Sequence, residues 1–267
     1  MTLELRSPRH DRASLHLPQA ASALASPYNG SISSEKGDEY TIENNILDLL
    51  SKPQSLSMAQ RTNHWQLTAS AYEDLWRKRS LSLLTGEPFP FEKEKALLAR
   101  WAAPSSGEWF LDVGCSSALY ARFLKQAEPG VQVAAVDVSH PMLREARSRA
   151  AAENTPLYLV RADARELPFF NGTFDGVVMG GTLNELSDPQ KVMYECRRVI
   201  KKGGRFFMMH LLRADSWPGR LLQKAAEAGG IHFPTLAESN ALFARSGFAT
   251  EEQARHGIVC FSRLRAE

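Results

Sequence analysis

The chain has 267 residues, of which 43% are hydrophobic and 23% charged, with 32 Lys+Arg against 30 Asp+Glu. That length can bury a sizeable core, and the composition is that of a globular chain, not a disordered one. A net charge of +2 gives no whole-chain signature of polyanion binding, and no apolar run reaches the ~18 residues of a membrane span. Three widely spaced cysteines, Cys115, Cys196 and Cys260, make no disulfide framework and suit a reducing, cytoplasmic setting.

Residues 1–25 mix Arg, Ser, Pro and Ala without periodicity and lack the continuous apolar stretch of a secretory leader, so a disordered tail is expected. Residues 57–103 read as an N-terminal helical cap. Trp65, Leu67, Tyr72, Leu75 and Trp76 recur at three- and four-residue spacings, and a second helix runs from about Phe91 to Trp101. Pro104 to Gly107 is a linker.

From residue 104 to 267 the pattern changes. Apolar runs at Trp109–Val113, Val131–Val138, Leu157–Val160, Phe174–Met179 and Phe206–Leu212 alternate with helical stretches near 117–127, 140–152 and 189–201. Such alternation predicts a parallel sheet with helices on both faces. Asp188 is placed to cap the helix starting at Pro189, and Thr235 with Glu238 forms a capping box for a helix reaching about Arg245. Phe248 to Arg263 fits two antiparallel strands turning near His256-Gly257.

The chemistry concentrates at strand ends. Asp112-Val113-Gly114-Cys115-Ser116-Ser117-Ala118 joins the first strand to the next helix, where small residues admit a ligand to the backbone. It lacks the second and third glycines of a dinucleotide fingerprint, so a ligand without a pyrophosphate fits better. Asp137 ends the second strand and can accept hydrogen bonds from ribose hydroxyls; a plain helix cap there is a role Ser139 could fill. Asp163 follows the third strand, and Met179-Gly180-Gly181 follows the fourth. Parallel sheets bind ligands at these carboxyl ends.

Together these residues resemble class I S-adenosylmethionine-dependent methyltransferases over about 107–262. The resemblance is nearest to the ubiquinone/menaquinone C-methyltransferase-like group, which acts mostly on small molecules. It implies an α/β, Rossmann-like, doubly wound sheet of seven mostly parallel strands, with a C-terminal antiparallel hairpin. It implies S-adenosylmethionine as cofactor, its methionine part on Asp112, Gly114, Cys115 and Ser116. The ribose falls on Asp137, and Val138, Met142, Asp163 and Ala164 fall about the adenine. Met179, Gly180 and Tyr72 complete that set. Ser116 and Ala118 stand where the family has glycines. A second resemblance links 26–50 to a small zinc ribbon found before some methyltransferases. Its four cysteine positions fall on Ser26, Asn29, Ser34 and Gly37, none of which supplies a thiolate, so no zinc is expected.

The reaction implied is in-line attack of an acceptor on the sulfonium methyl, with the enzyme mainly orienting the reactants. Trp76, Asn184, His210 and His232 are candidates for the acceptor pocket. His64, His210, His232, Glu185 and Tyr72 are the candidate bases if the acceptor must lose a proton; none is assigned a catalytic role. The aromatic and apolar flanks favour an apolar or aromatic small acceptor. An RNA methyltransferase and a cofactor-binding protein without methyl transfer are the competing readings. The sequence does not fix the oligomeric state.

Overall fold

The computed structural model describes residues 3–8, 13–16, 27–50, 84–85 and 88–267. At its centre are five parallel strands: β6 (Trp109–Val113), β7 (Gln132–Asp137), β8 (Tyr158–Arg161), β9 (Phe174–Gly180) and β10 (Ile200–Leu211). The hairpin β11 (Phe248–His256) and β12 (Val259–Ala266) adds antiparallel to β10. Three earlier strands, β3 (Gly30–Ser33), β4 (Glu39–Glu43) and β5 (Ile46–Asp48), lie beyond β8. The full order is β11-β12-β10-β9-β6-β7-β8-β5-β4-β3.

Every residue of β6 is buried. This follows from helices on both faces, which remove the polar side that a half-exposed strand must keep. On one face Leu111, Val113, Val177, Met179 and Phe206 pack with Val192 and Cys196 of α4 (Pro189–Val199). On the other, Phe110, Val178 and Phe207 pack with Ala121 and Leu124 of α2 (Leu119–Ala127) and Leu98 and Trp101 of α1 (Phe91–Ala102). The helix α3 (His140–Ala152) starts after Ser139, which accepts from the Met142 N–H at 3.5 Å. The helices α5 (Trp217–Glu227) and α6 (Leu236–Arg245) follow β10. Asp188 accepts from the Lys191 N–H at 3.0 Å, and Thr235 with Glu238 closes its capping box, as the sequence predicts.

Two expectations are corrected. The sheet has ten strands instead of seven, because residues 30–48 continue it: Ile46, Leu47 and Asp48 pair in parallel with Leu159, Val160 and Arg161. An uncovered β8 would present unpaired backbone and apolar Val160 to water; β5 covers both. Residues within 1–25 are also not wholly a tail. β1 (Glu4–Arg6) and β2 (Ser14–His16) pair antiparallel, with Leu3, Leu5 and Leu15 buried in the core. The Arg6 N–H donates to the Pro168 carbonyl at 2.9 Å, and Ser7 and Tyr40 hydroxyls meet at 2.6 Å. β3 and β4 form a hairpin, its turn held by the Ser34 hydroxyl accepting from the Lys36 and Asp38 N–H groups. Most of the expected helical cap lies outside the described residues; α1 is the part inside them.

Candidate functional site

The turn from β6 into α2 alternates in hand. Gly114, Ser116 and Ala118 all have positive φ, at 64°, 51° and 58°. Two of the three are therefore L-residues in the left-handed region that glycine occupies at no cost. Small side chains keep this tolerable, which is the physical content of the departure from the family's glycines. At Gly114 there is no such latitude, since an added Cβ would lie 2.3 Å from Thr182 Cγ2. The Thr182 hydroxyl donates to the Gly114 carbonyl at 3.0 Å and so clamps the loop to the segment after β9.

The loop is tied to the next strand through Asp137. One carboxylate oxygen accepts the Ser116 N–H at 2.8 Å and the other accepts the Ser139 N–H at 2.8 Å. Asp112 is buried beneath, accepting from the Ala121 N–H at 3.0 Å. Met142 is buried too, and its sulfur accepts from the Ser116 hydroxyl at 3.4 Å. A cleft opens here at the carboxyl ends of β6 and β9, lined by Asp112, Gly114, Cys115, Ser116, Tyr120 and Gly180 among others. Gly180 is tight against Tyr120, whose ring an added Cβ would meet at 2.8 Å. Tyr120 is itself fixed by donating to Glu94 of α1 at 2.5 Å. Tyr120 and Thr182 were not among the sequence candidates. Each braces a glycine from a different element, a relation with no signature in local spacing.

The outer rim is organised by arginines. The Asp163 carboxylate accepts from two guanidinium nitrogens of Arg165, Nε and Nη2, at 2.9–3.1 Å, and this hydrogen bonding raises the Arg165 pKa above the ordinary value. Arg161 donates to the Val138 carbonyl at 3.1 Å and to Asp48 at 2.8 Å. Ala164 is partly buried against the core.

Several candidates lie elsewhere. Met179 is fully buried in the core and gives no surface to the cleft, because alternation along β9 turns Gly180, not Met179, toward it. His210 is fully buried, its Nε2 at 3.1 Å from Ser239 Oγ and its ring edge-on to Phe243 of α6. Burial lowers its pKa to about 4. It is a packing residue under α6, and the acceptor-wall expectation for it is corrected. Asn184, also buried, uses its amide internally: it donates to the Leu211 and His232 carbonyls at 2.8 and 2.5 Å and accepts from the Leu211 N–H at 2.8 Å. Its role is to pin the end of β10 to the segment after α5. The His232 side chain is exposed, and the backbone N–H of this residue donates to the Asn184 carbonyl at 2.7 Å. Tyr72, Trp76, His64 and Trp65 lie outside the described residues.

The electrostatics favour a cation. Asp112, Asp137 and Glu185 share the strand-end side of the sheet. Burial, reinforced by Asp137, raises Glu185 to about 7. Burial, with Asp137 and Asp112, also raises the Cys115 thiol, so it is no thiolate nucleophile. Among the described residues no cluster of His, Cys, Asp or Glu could hold a metal ion, and no helix is long and apolar enough to cross a membrane. The glycines that cannot accept a Cβ, the bent loop and the paired acids fit an adenosine-bearing sulfonium.

Residues 111–208 match the family described as methyltransferase domain. A ubiquinone/menaquinone biosynthesis C-methyltransferase of Ruegeria sp. is 37% identical over 118 residues, 43% of this chain and 47% of that one. A malonyl-[acyl-carrier protein] O-methyltransferase of Alcanivorax borkumensis is 36% identical over 156 residues, 56% of this chain and 51% of that one. The chain thus spans about half the length of these curated relatives. A Haemonchus contortus phosphoethanolamine N-methyltransferase, solved with S-adenosylhomocysteine, superposes with a TM-score of 0.61 at 20% identity, covering 80% of this chain and 48% of that one. Residues 111–208 thus match the methyltransferase-domain family, and the sheet that carries them is Rossmann-like.

Proposed function

We propose that the chain binds S-adenosylmethionine in the cleft over Gly114 and Gly180 and transfers its methyl group to a small apolar or aromatic acceptor. The observation that carries this reading is the Asp137 carboxylate, which bonds the Ser116 and Ser139 N–H groups. It is held at the β7 end, beside a loop bent to admit a ligand against its backbone. Asp137 would take the ribose hydroxyls, Asp112 and the loop backbone the amino-acid end, and Met142, Val138 and Asp163 the adenine. When bound, the cofactor supplies an activated methyl on a sulfonium. The chain's own contribution is then orientation and exclusion of water. Glu185, raised to about 7 beside Asp137, is the described group best matched to take a proton near neutrality.

Calorimetric titration with S-adenosylmethionine and S-adenosylhomocysteine, beside the Asp137→Ala variant, tests the reading. The expected result is micromolar binding that the variant loses. No binding by the folded wild-type chain would sink it. A panel of quinone-like, aromatic and polar acceptors then tests the acceptor class, and turnover of polar compounds alone would overturn the apolar assignment. An affinity for RNA that falls steeply with salt would favour an RNA substrate instead.

A further inference from the structure

The helix α5 is turned the opposite way from an ordinary surface helix. The side toward the body carries Gly219, tight against Ala214, and Gln223. Gln223 is buried and secured by accepting from the Ala214 N–H at 2.8 Å and donating to the Leu212 carbonyl at 2.9 Å. At 3.6 residues per turn, the side opposite Gln223 carries Trp217, Leu221 and Ala225, and Leu222 extends it on one flank. Trp217, Leu221 and Leu222 are 68%, 54% and 75% exposed, and among the described residues only Tyr194 joins them as an exposed large apolar side chain. A single exposed leucine needs no explanation, but a contiguous apolar stripe on one helix does.

The border of the stripe is basic. Arg220 and Lys224 line one side of it, exposed, and Arg213 is exposed just before the helix. The acids nearby are few: Glu227 at the helix end, Glu238 facing Arg213, and Asp215, whose carboxylate is engaged by Arg255. We propose that α5 seats on an anionic lipid surface. Trp217, Leu221 and Leu222 would enter the boundary between head groups and acyl chains, and Arg213, Arg220 and Lys224 would meet lipid phosphates. A second copy of the chain is the weaker occupant on area. Three side chains of this size offer roughly 400 Å², about half the ~800 Å² that a standard interface takes from each partner. The basic border would also repel its own copy. The helix leaves the carboxyl end of β10, which Asn184 fixes beside the cleft. Seated this way, it brings an apolar acceptor from the lipid to the site; that consequence rests on the proposed function, whereas lipid binding does not.

Co-sedimentation of the full chain with phosphatidylcholine vesicles, with and without phosphatidylglycerol, tests the proposal. The chain should sediment with the anionic vesicles, and added salt should weaken this. Leu222→Asp should lower the affinity about tenfold or more, and each of Arg220→Gln and Lys224→Gln about fivefold. Because Leu222 is exposed, its variant should keep the wild-type circular dichroism and melting temperature. A wild-type chain left in the supernatant overturns the proposal, as does a Leu222→Asp chain that binds equally well. A doubled mass in light scattering that Leu222→Asp abolishes gives the face to a second copy and overturns it too. Titration of the same sample with S-adenosylmethionine reports on the methyltransferase reading separately.

Discussion

Gly114→Ala is the sharpest perturbation of the cofactor loop. The new methyl would sit 2.3 Å from Thr182 Cγ2, 2.4 Å from its Oγ1 and 2.9 Å from its Cβ. Thr182 cannot rotate away freely, being β-branched and bonded through its hydroxyl to the Gly114 carbonyl. Left-handed backbone costs an L-residue about 1–2 kcal/mol, and overpacking adds about 1–3 kcal/mol. Reduced freedom of the unfolded chain returns about 0.4–1 kcal/mol. The net loss is about 2–4 kcal/mol, or roughly 5–12 °C in Tm for a chain of this size. Thr182→Ala alone should cost about 1 kcal/mol, for the lost hydrogen bond. The double variant removes the two nearest atoms, so it should be less damaged than the sum of the singles. Thermal unfolding gives the stabilities and calorimetry the cofactor affinity, which Gly114→Ala should lower about tenfold or more. Strict additivity, or a Gly114→Ala protein with wild-type Tm, would falsify the clamp between this glycine and Thr182.

Other expectations follow from single groups. His210 is lowered to about 4 by burial, so the native state holds it neutral while the unfolded chain gains a proton below about 6.5. Its contribution is present above that pH and is lost as pH falls toward 4, about 2 kcal/mol of it by pH 5. His210→Gln should flatten this part of a Tm-against-pH curve, and an unchanged slope would refute the assignment. Cys115, Cys196 and Cys260 are all buried with raised pKa values. A thiol reagent should therefore titrate three groups only after denaturation, and one fast native thiol would contradict the packing. Thr235→Ala removes the α6 capping box and should cost about 1 kcal/mol in denaturant unfolding; a loss below the measurement error would mean the cap contributes nothing.

The C-terminal part of the fold is legible because its signals are local. The strand Trp109–Val113 and the helix Leu236–Arg245 follow from apolar runs and caps contained within each segment. β10 begins at Ile200, six residues before the predicted Phe206; the expected start is late since Lys201-Lys202-Gly203-Gly204 reads as a helix stop. The structure instead takes those residues into the strand with a register shift between Ile200 and Arg205. His210 and Met179 were misplaced for another reason. Period-two alternation says that neighbouring residues face opposite ways, but not which face holds the ligand. α5 carries helical apolar spacing at Trp217, Leu221, Leu222 and Ala225, and what the spacing does not tell is that this stripe faces outward.

The N-terminal strands were illegible for a more general reason. β1, β2 and β5 have three residues each, too short for periodicity to register. What orders β5 is the open edge of β8, with Asp48 meeting Arg161 across 113 positions of sequence. That contact also reaches the candidate site, since the same guanidinium bonds the Val138 carbonyl beside Asp137. The strands that lengthen the sheet therefore also brace the backbone on which the adenosine end of the cofactor would rest. A segment without cysteine contributes here through its backbone pairing and one carboxylate. Neither contribution depends on the thiolates that its resemblance would have required.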